Sequence, residues 1–139
     1  MGPVSSTAGS LFAARAQVLR DAPAISDGSI TRTYAALRAR VAALAGHLVA
    51  RGVRPGDRVA VLSRNRAEYL ELILACAWTG AIAACQNWRL AGPELAHCLD
   101  LVAPSLLVAS PDEAPRLAAR AEPVLVLGDG ADGYEAALA

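Results

Sequence analysis

Tyr34, Leu37, Val41, Leu44, Ala45 and Leu48 recur at three- and four-residue intervals, the spacing that gathers apolar side chains on one side of an α-helix. Thr33 stands where an N-cap belongs, so this helix is expected from Thr33 to about Ala50. Gly52 supplies its stop and Pro55 blocks continuation. The pattern then changes. Arg58-Val59-Ala60-Val61-Leu62-Ser63 is a short apolar run without alternation, as expected of a strand covered on both faces. Asn65 and Glu68 have the spacing of a capping box for a following helix, with Tyr69, Leu72, Ile73, Cys76 and Ala77 as its inward stripe and Gly80 as its end.

The same rhythm continues. Ala81–Cys85 reads as a second strand. Gly92-Pro93 opens a helix with proline at a position that needs no amide donor; Leu95, Cys98, Leu99 and Val102 face inward, and Pro104 closes it. Leu106-Leu107-Val108 and Val124-Leu125-Val126-Leu127 are further strands. Between them Ser110-Pro111-Asp112-Glu113 is expected to start a capped helix that Pro115 shifts to the right. Tyr134–Ala139 reads as a last helix. Ahead of all this, Leu11–Leu19 is a short helix with Leu11, Phe12, Arg15, Val18 and Leu19 inward, and Ala24–Ser26 and Ser29–Thr31 flank Asp27-Gly28, a dipeptide that favours a two-residue hairpin turn. Strands alternating with helices imply an α/β fold: a mostly parallel sheet with helices on both faces, preceded by a small antiparallel hairpin. No internal repeat and no linker divides residues 1–139.

Composition narrows the function. Hydrophobic residues make up 55 % of the 139 but aromatic residues only 4 %, so the chain is expected to fold around an aliphatic core. Thirteen acidic residues balance thirteen basic ones, every one an arginine; the chain contains no lysine. A neutral, aromatic-poor chain carries no electrostatic footprint for nucleic acid. The run Arg51, Arg54, Arg58, Arg64 and Arg66, broken by Asp57 and Glu68, reads as a solvated rim around a strand. The uncharged stretch Leu72–Trp88 falls short of the ~20 apolar residues of a membrane helix, and the N-terminus has no secretory pattern. Cys76, Cys85 and Cys98 have no metal-like spacing and lie in apolar segments, consistent with reduced thiols in a cytoplasmic setting.

Two motifs resemble those of the adenylate-forming enzymes, the family of acyl-CoA synthetases, peptide-synthetase adenylation domains and luciferases. Thr33-Tyr34-Ala35-Ala36-Leu37 is similar to its first core motif, Thr/Ser-Tyr-x-Glu-Leu, with Ala36 where glutamate is usual. Trp78-Thr79-Gly80-Ala81-Ile82-Ala83-Ala84-Cys85-Gln86-Asn87 is similar to the second, Lys-Ala-Gly-x-x-x-x-Pro-Leu-Asn/Asp, keeping Gly80 and Asn87. Gly52-x-x-Pro55-Gly56-Asp57-Arg58-Val59-Ala60 is also typical, and Asn87-Trp88-Arg89-Leu90 resembles the acyl-CoA ligases more than the amino-acid-activating domains. The resemblance runs from about Leu11 to Leu127. It implies the N-terminal part of the large domain, residues 1–139 being a partial domain that lacks the ATP loop and the C-terminal domain.

For a full-length parent the resemblance implies activation of a fatty or aromatic carboxylic acid with ATP and Mg²⁺, then transfer of the acyl group to coenzyme A. Both steps move charge onto phosphate oxygens and need preorganised donors and a cation. The family's Pro-Lys-Gly loop and its C-terminal lysine have no counterpart in this sequence. No catalytic, cofactor-binding or metal residue is therefore carried over, no cofactor is expected for this chain, and it is expected to form no acyl-adenylate alone. Its partner would be the remainder of the parent enzyme, or a second copy meeting it through exposed apolar surface.

Other motifs point elsewhere only weakly. Gly128-Asp129-Gly130-Ala131-Asp132-Gly133 matches G-x-G-x-x-G after a strand, but its two aspartates would repel a pyrophosphate, so a surface connection is the expectation. His47 and His97 lie on different helices, as ordinary helix-surface histidines. Glu94 and Asp100 do not face each other as an acid/base pair would. Ser63, Ser105 and Ser110 lack a nucleophile-elbow setting. Trp78 and Trp88 are expected to fill core and rim. Arg89 is the polar group to watch, with a structural salt bridge its expected role. Two other classes of function compete with the enzyme-fragment reading: a free-standing interaction module, and a small nucleotide-binding α/β protein using Gly128–Gly133.

Overall fold

A computed structural model describes residues 7–128 and 133–139. The chain opens with α1 (Ala8–Val18), a hairpin of β1 (Pro23–Ser26) and β2 (Thr31–Thr33), and α2 (Tyr34–Ala50). Then come β3 (Arg58–Leu62), α3 (Ala67–Thr79), β4 (Ile82–Gln86), α4 (Gly92–Val102), β5 (Leu106–Ala109), a 3-10 turn (Ala114–Leu117), β6 (Val124–Val126) and α5 (Tyr134–Leu138). The last four strands form one parallel sheet in the order β4-β3-β5-β6, and β1 and β2 pair antiparallel apart from it. The expected α/β architecture is the one observed.

Pleating divides the core. Val59, Val61, Leu106, Val108, Leu125 and Leu127 point to one face, where Leu37, Val41, Leu44 and Leu48 of α2, Leu72 and Cys76 of α3, and Tyr134 of α5 cover them. Ala60, Leu62, Leu107 and Ala109 point to the other, under Leu95 and Leu99 of α4 and Leu117 of the 3-10 turn. Burial on both faces explains why β3 lacks alternation in the sequence. The α2 cap also forms as expected: Thr33 Oγ1 accepts from Ala36 N–H at 3.2 Å, although Ala36 removes the reciprocal half of a capping box.

Five local expectations are corrected. The first concerns α1, which begins at Ala8, where Thr7 and Ser10 cap each other, and buries Gly9 and Ala16. Leu11 and Val18, expected inward, are 61 % and 77 % exposed. The reason is a backbone-to-backbone approach: a Cβ on Gly9 would stand 2.8 Å from the Ala77 carbonyl oxygen, so small residues set the contact face rather than large ones.

In the hairpin, the turn pivots one residue later than expected, on Gly28-Ser29, closed by Asp27 N–H to the Ile30 carbonyl at 3.2 Å. The Asp27 carboxylate accepts from both Ser29 donors and from Ile30 N–H, and Gly28 takes φ +90°, a conformation that favours glycine.

The cap of α3 is the third correction. Its N-cap is Arg66, with no side-chain cap bond, so Asn65 and Glu68 form no capping box. The buried face is Ala67, Glu68, Glu71, Leu72, Ala75 and Cys76; Tyr69, Ile73 and Ala77 are only half-buried. In α4, Leu95 and Leu99 are buried but Cys98 and Val102 only half-buried.

The helix expected from Ser110 is a single 3-10 turn, Ala114–Leu117. Pro115 provides no amide hydrogen and disfavours helical backbone at the residue before it, so α-helix does not propagate. Gly128–Gly133 extends beyond the described residues.

Candidate functional site

Chain order and sheet order disagree at one place. From β3 the chain crosses through α3 to β4; it then returns through α4, on the opposite face, to β5 on the far side of β3. The loops leaving β3 and β5 therefore diverge. In open α/β sheets the crevice outside the carboxyl ends of two such strands is the place where ligands bind. Here that crevice is lined by Ser63, Arg64, Asn65 and Arg66 after β3, by Ser110 and Asp112 after β5, and by Asp27 and Ser29 of the hairpin turn, with a volume of about 340 Å³.

One of its ion pairs closes internally. Arg66 grips Glu68 with two hydrogen bonds, 2.9 and 2.8 Å; burial pushes the Glu68 carboxyl up, but the Arg66 fork outweighs it and holds the group below its usual range. The Ser29 hydroxyl, aided by the Ile30 and Ser29 amides, brings Asp27 down to about 2. The Ser110 hydroxyl is buried with no partner at hydrogen-bonding geometry among the described residues, yet it stands near enough to Asp112 to hold that carboxyl low.

On the rim sits Trp88, half-buried against the α4 side of the core. The Arg64 and Arg89 guanidinium carbons lie 4.2 and 4.4 Å from its ring centroid, in cation–π range. Arg116 fixes this loop from below: it donates to the carbonyls of Trp88, at 2.7 Å, and Leu90, and pairs with Glu113 at 2.7 Å. The salt bridge expected for Arg89 is absent among the described residues; the indole face holds it instead. Two guanidinium groups with no carboxylate partner among the described residues give this rim the capacity to meet an anion.

The remaining sequence candidates are dispersed. Glu94 accepts from Ala91 N–H at 3.0 Å at the start of α4, and Asp100 pairs with Arg120 at 2.6 Å. His97 is exposed. His47 departs from the surface role expected of it: its Nε2 is buried without a hydrogen-bond partner among the described residues, and burial, then Arg51, lower its pKa. Trp78 is 38 % exposed, facing Arg38 at 5.9 Å. Cys85 is exposed rather than sequestered, while Cys76 is buried.

A buried ionic network that the sequence pattern did not predict lies on the other side of α3. Glu71 is fully buried and accepts from Arg32 Nε at 2.9 Å, Arg40 Nε at 2.7 Å and the Tyr134 hydroxyl at 2.7 Å. Arg40 also forks onto Glu135 at 2.9 and 2.6 Å. The available signal was position: Glu68, Leu72, Ala75 and Glu71, Ala75 share helical spacing, so the carboxylates lie inside the apolar stripe and require buried partners.

These residues do not fit a magnesium–triphosphate group. Three carboxylates, Asp27, Glu68 and Asp112, oppose Arg64 and Arg66, and Arg66 is already neutralised by Glu68. Among the described residues no three His, Cys, Asp or Glu side chains come together to hold a metal ion, and none of the helices is long and apolar enough to cross a membrane.

A parallel sheet with helices on both faces, a divergent crevice and a separate N-terminal hairpin defines an α/β domain of the doubly wound class. The sequence model of the AMP-binding enzyme family matches residues 12–136, and the chain belongs to that family. It is 46 % identical over 107 residues to a feruloyl-CoA synthase of Amycolatopsis, a match covering 77 % of this chain and 22 % of the relative. A fatty acyl CoA synthetase from Mycobacterium tuberculosis superposes with a TM-score of 0.84 at 29 % identity, over 95 % of this chain and 28 % of that one. A benzoate CoA ligase from Burkholderia xenovorans LB400 shares the fold at a TM-score of 0.88 and 17 % identity, over 96 % of this chain and 28 % of its own. The chain thus spans about a fifth of the length of curated relatives such as the feruloyl-CoA synthase.

Proposed function

We propose that residues 1–139 are the front part of the large domain of an acyl-CoA ligase. The parent would activate a carboxylic acid with ATP and Mg²⁺ and transfer the acyl group to coenzyme A in a cytoplasmic setting; an aromatic acid is favoured over a fatty acid by the 46 % identity to a feruloyl-CoA synthase. In this reading the chain is scaffold. It builds one sheet and sets the loops at its carboxyl ends, while the groups that stabilise charge on the transferred phosphate come from the rest of the parent. The observation that carries the reading is a family match over 12–136 combined with a crevice whose carboxylates oppose a triphosphate. The test is carboxylate-dependent ATP–pyrophosphate exchange by the purified, folded chain. No exchange above background is expected with benzoate, ferulate or a medium-chain fatty acid; exchange with any of them would overturn the claim that the chain is inactive alone.

A second reading concerns partners. The outer edge of β4 pairs with no strand among the described residues, and Ile82, 52 % exposed, lies on it. An unpaired edge of this kind invites another strand, from the remainder of the parent or from a second copy. Sedimentation of the isolated chain across a concentration series tests this: concentration-dependent association is expected of the exposed edge, and a monomer at every concentration would contradict it.

A further inference from the structure

No further inference is drawn: the strongest candidate, the crevice at the carboxyl ends of β3 and β5 with Arg64, Trp88 and Arg89 stacked on its rim, belongs to the site already described, and nothing in the structure shows which ligand its two arginines would meet.

Discussion

The Tyr134 hydroxyl donates to Glu71 Oε2 at 2.7 Å, joining residues 63 positions apart. Through this bond and the Arg40–Glu135 fork, α5 is tied to α2 and α3 at a point where Glu71 is inaccessible to water. A buried carboxylate is tolerated only when its lone pairs are filled by well-placed donors, and here two arginines and a phenol fill them. Burial, with Glu71 adding to it, pushes the Tyr134 hydroxyl well above its ordinary range, so it is a donor at neutral pH.

Replacing Glu71→Gln leaves Arg32 and Arg40, which are 13 % and 21 % exposed, without their shared anion. The expected loss is about 3 kcal/mol, against about 1.5 kcal/mol for Tyr134→Phe, which removes one hydrogen bond to a charged acceptor. Urea denaturation of both variants checks the order. Equal, small losses would show that the network contributes little.

Two glycines on helices should respond in opposite directions. Gly9→Ala drives a methyl group into the Ala77 backbone and is expected to cost about 1–3 kcal/mol by overpacking. Gly46→Ala on α2 meets nothing within 4 Å and should stabilise by about 0.5–1 kcal/mol, since alanine loses less backbone freedom in a helix. Thermal melting of the two variants reads both signs at once.

Acid should weaken the fold in two stages. Burial, then Arg51, holds the His47 pKa below its ordinary 6.5, so the folded protein takes up this proton less readily than the unfolded chain. Its contribution is therefore complete above pH 6.5 and is lost as pH falls through the lowered value. Glu135, held low by Arg40, and Glu68, where Arg66 outweighs burial, contribute stability that is present above 4.5 and lost as pH falls further. Denaturation midpoints from pH 8 to pH 3 should show both declines, and His47→Gln should abolish the upper one alone.

The cysteines should react unequally. Burial pushes the Cys76 thiol up to about 12, and it has no access to solvent; Cys85 is exposed. A disulfide reagent at pH 8 is expected to modify Cys85 at once and Cys76 only on unfolding, because reaction needs both the thiolate and access. Fast labelling of both in the folded protein would contradict the assigned packing of α3.

Regular elements were legible wherever local pattern and tertiary packing agreed. Thr33, Gly52 and the stripe from Leu37 to Leu48 specify α2, and the unalternating run at Val59–Leu62 announces a doubly covered strand. Two features departed from the hydrophobic pattern: at Gly9 a small residue sets the contact face, and at Glu71 a carboxylate occupies the buried stripe, where its position showed burial but a count of apolar residues alone passes over it. The crevice was not legible as a site. Arg64, Trp88 and Arg89 come from two loops that only the order β4-β3-β5-β6 brings together. The family itself was legible from the Thr33–Leu37 and Gly80–Asn87 segments, whose order and spacing carry more than either alone.

As the opening scaffold of a longer ligase, these residues should occur in the cell only as part of a larger chain. The most direct test is the intact mass of the polypeptide isolated from its native source under protease inhibition. A product several-fold heavier than 14.3 kDa that carries this sequence near its N-terminus is the predicted result. A native product of 14.3 kDa would contradict it and direct attention to the β4 edge as a surface for a separate partner.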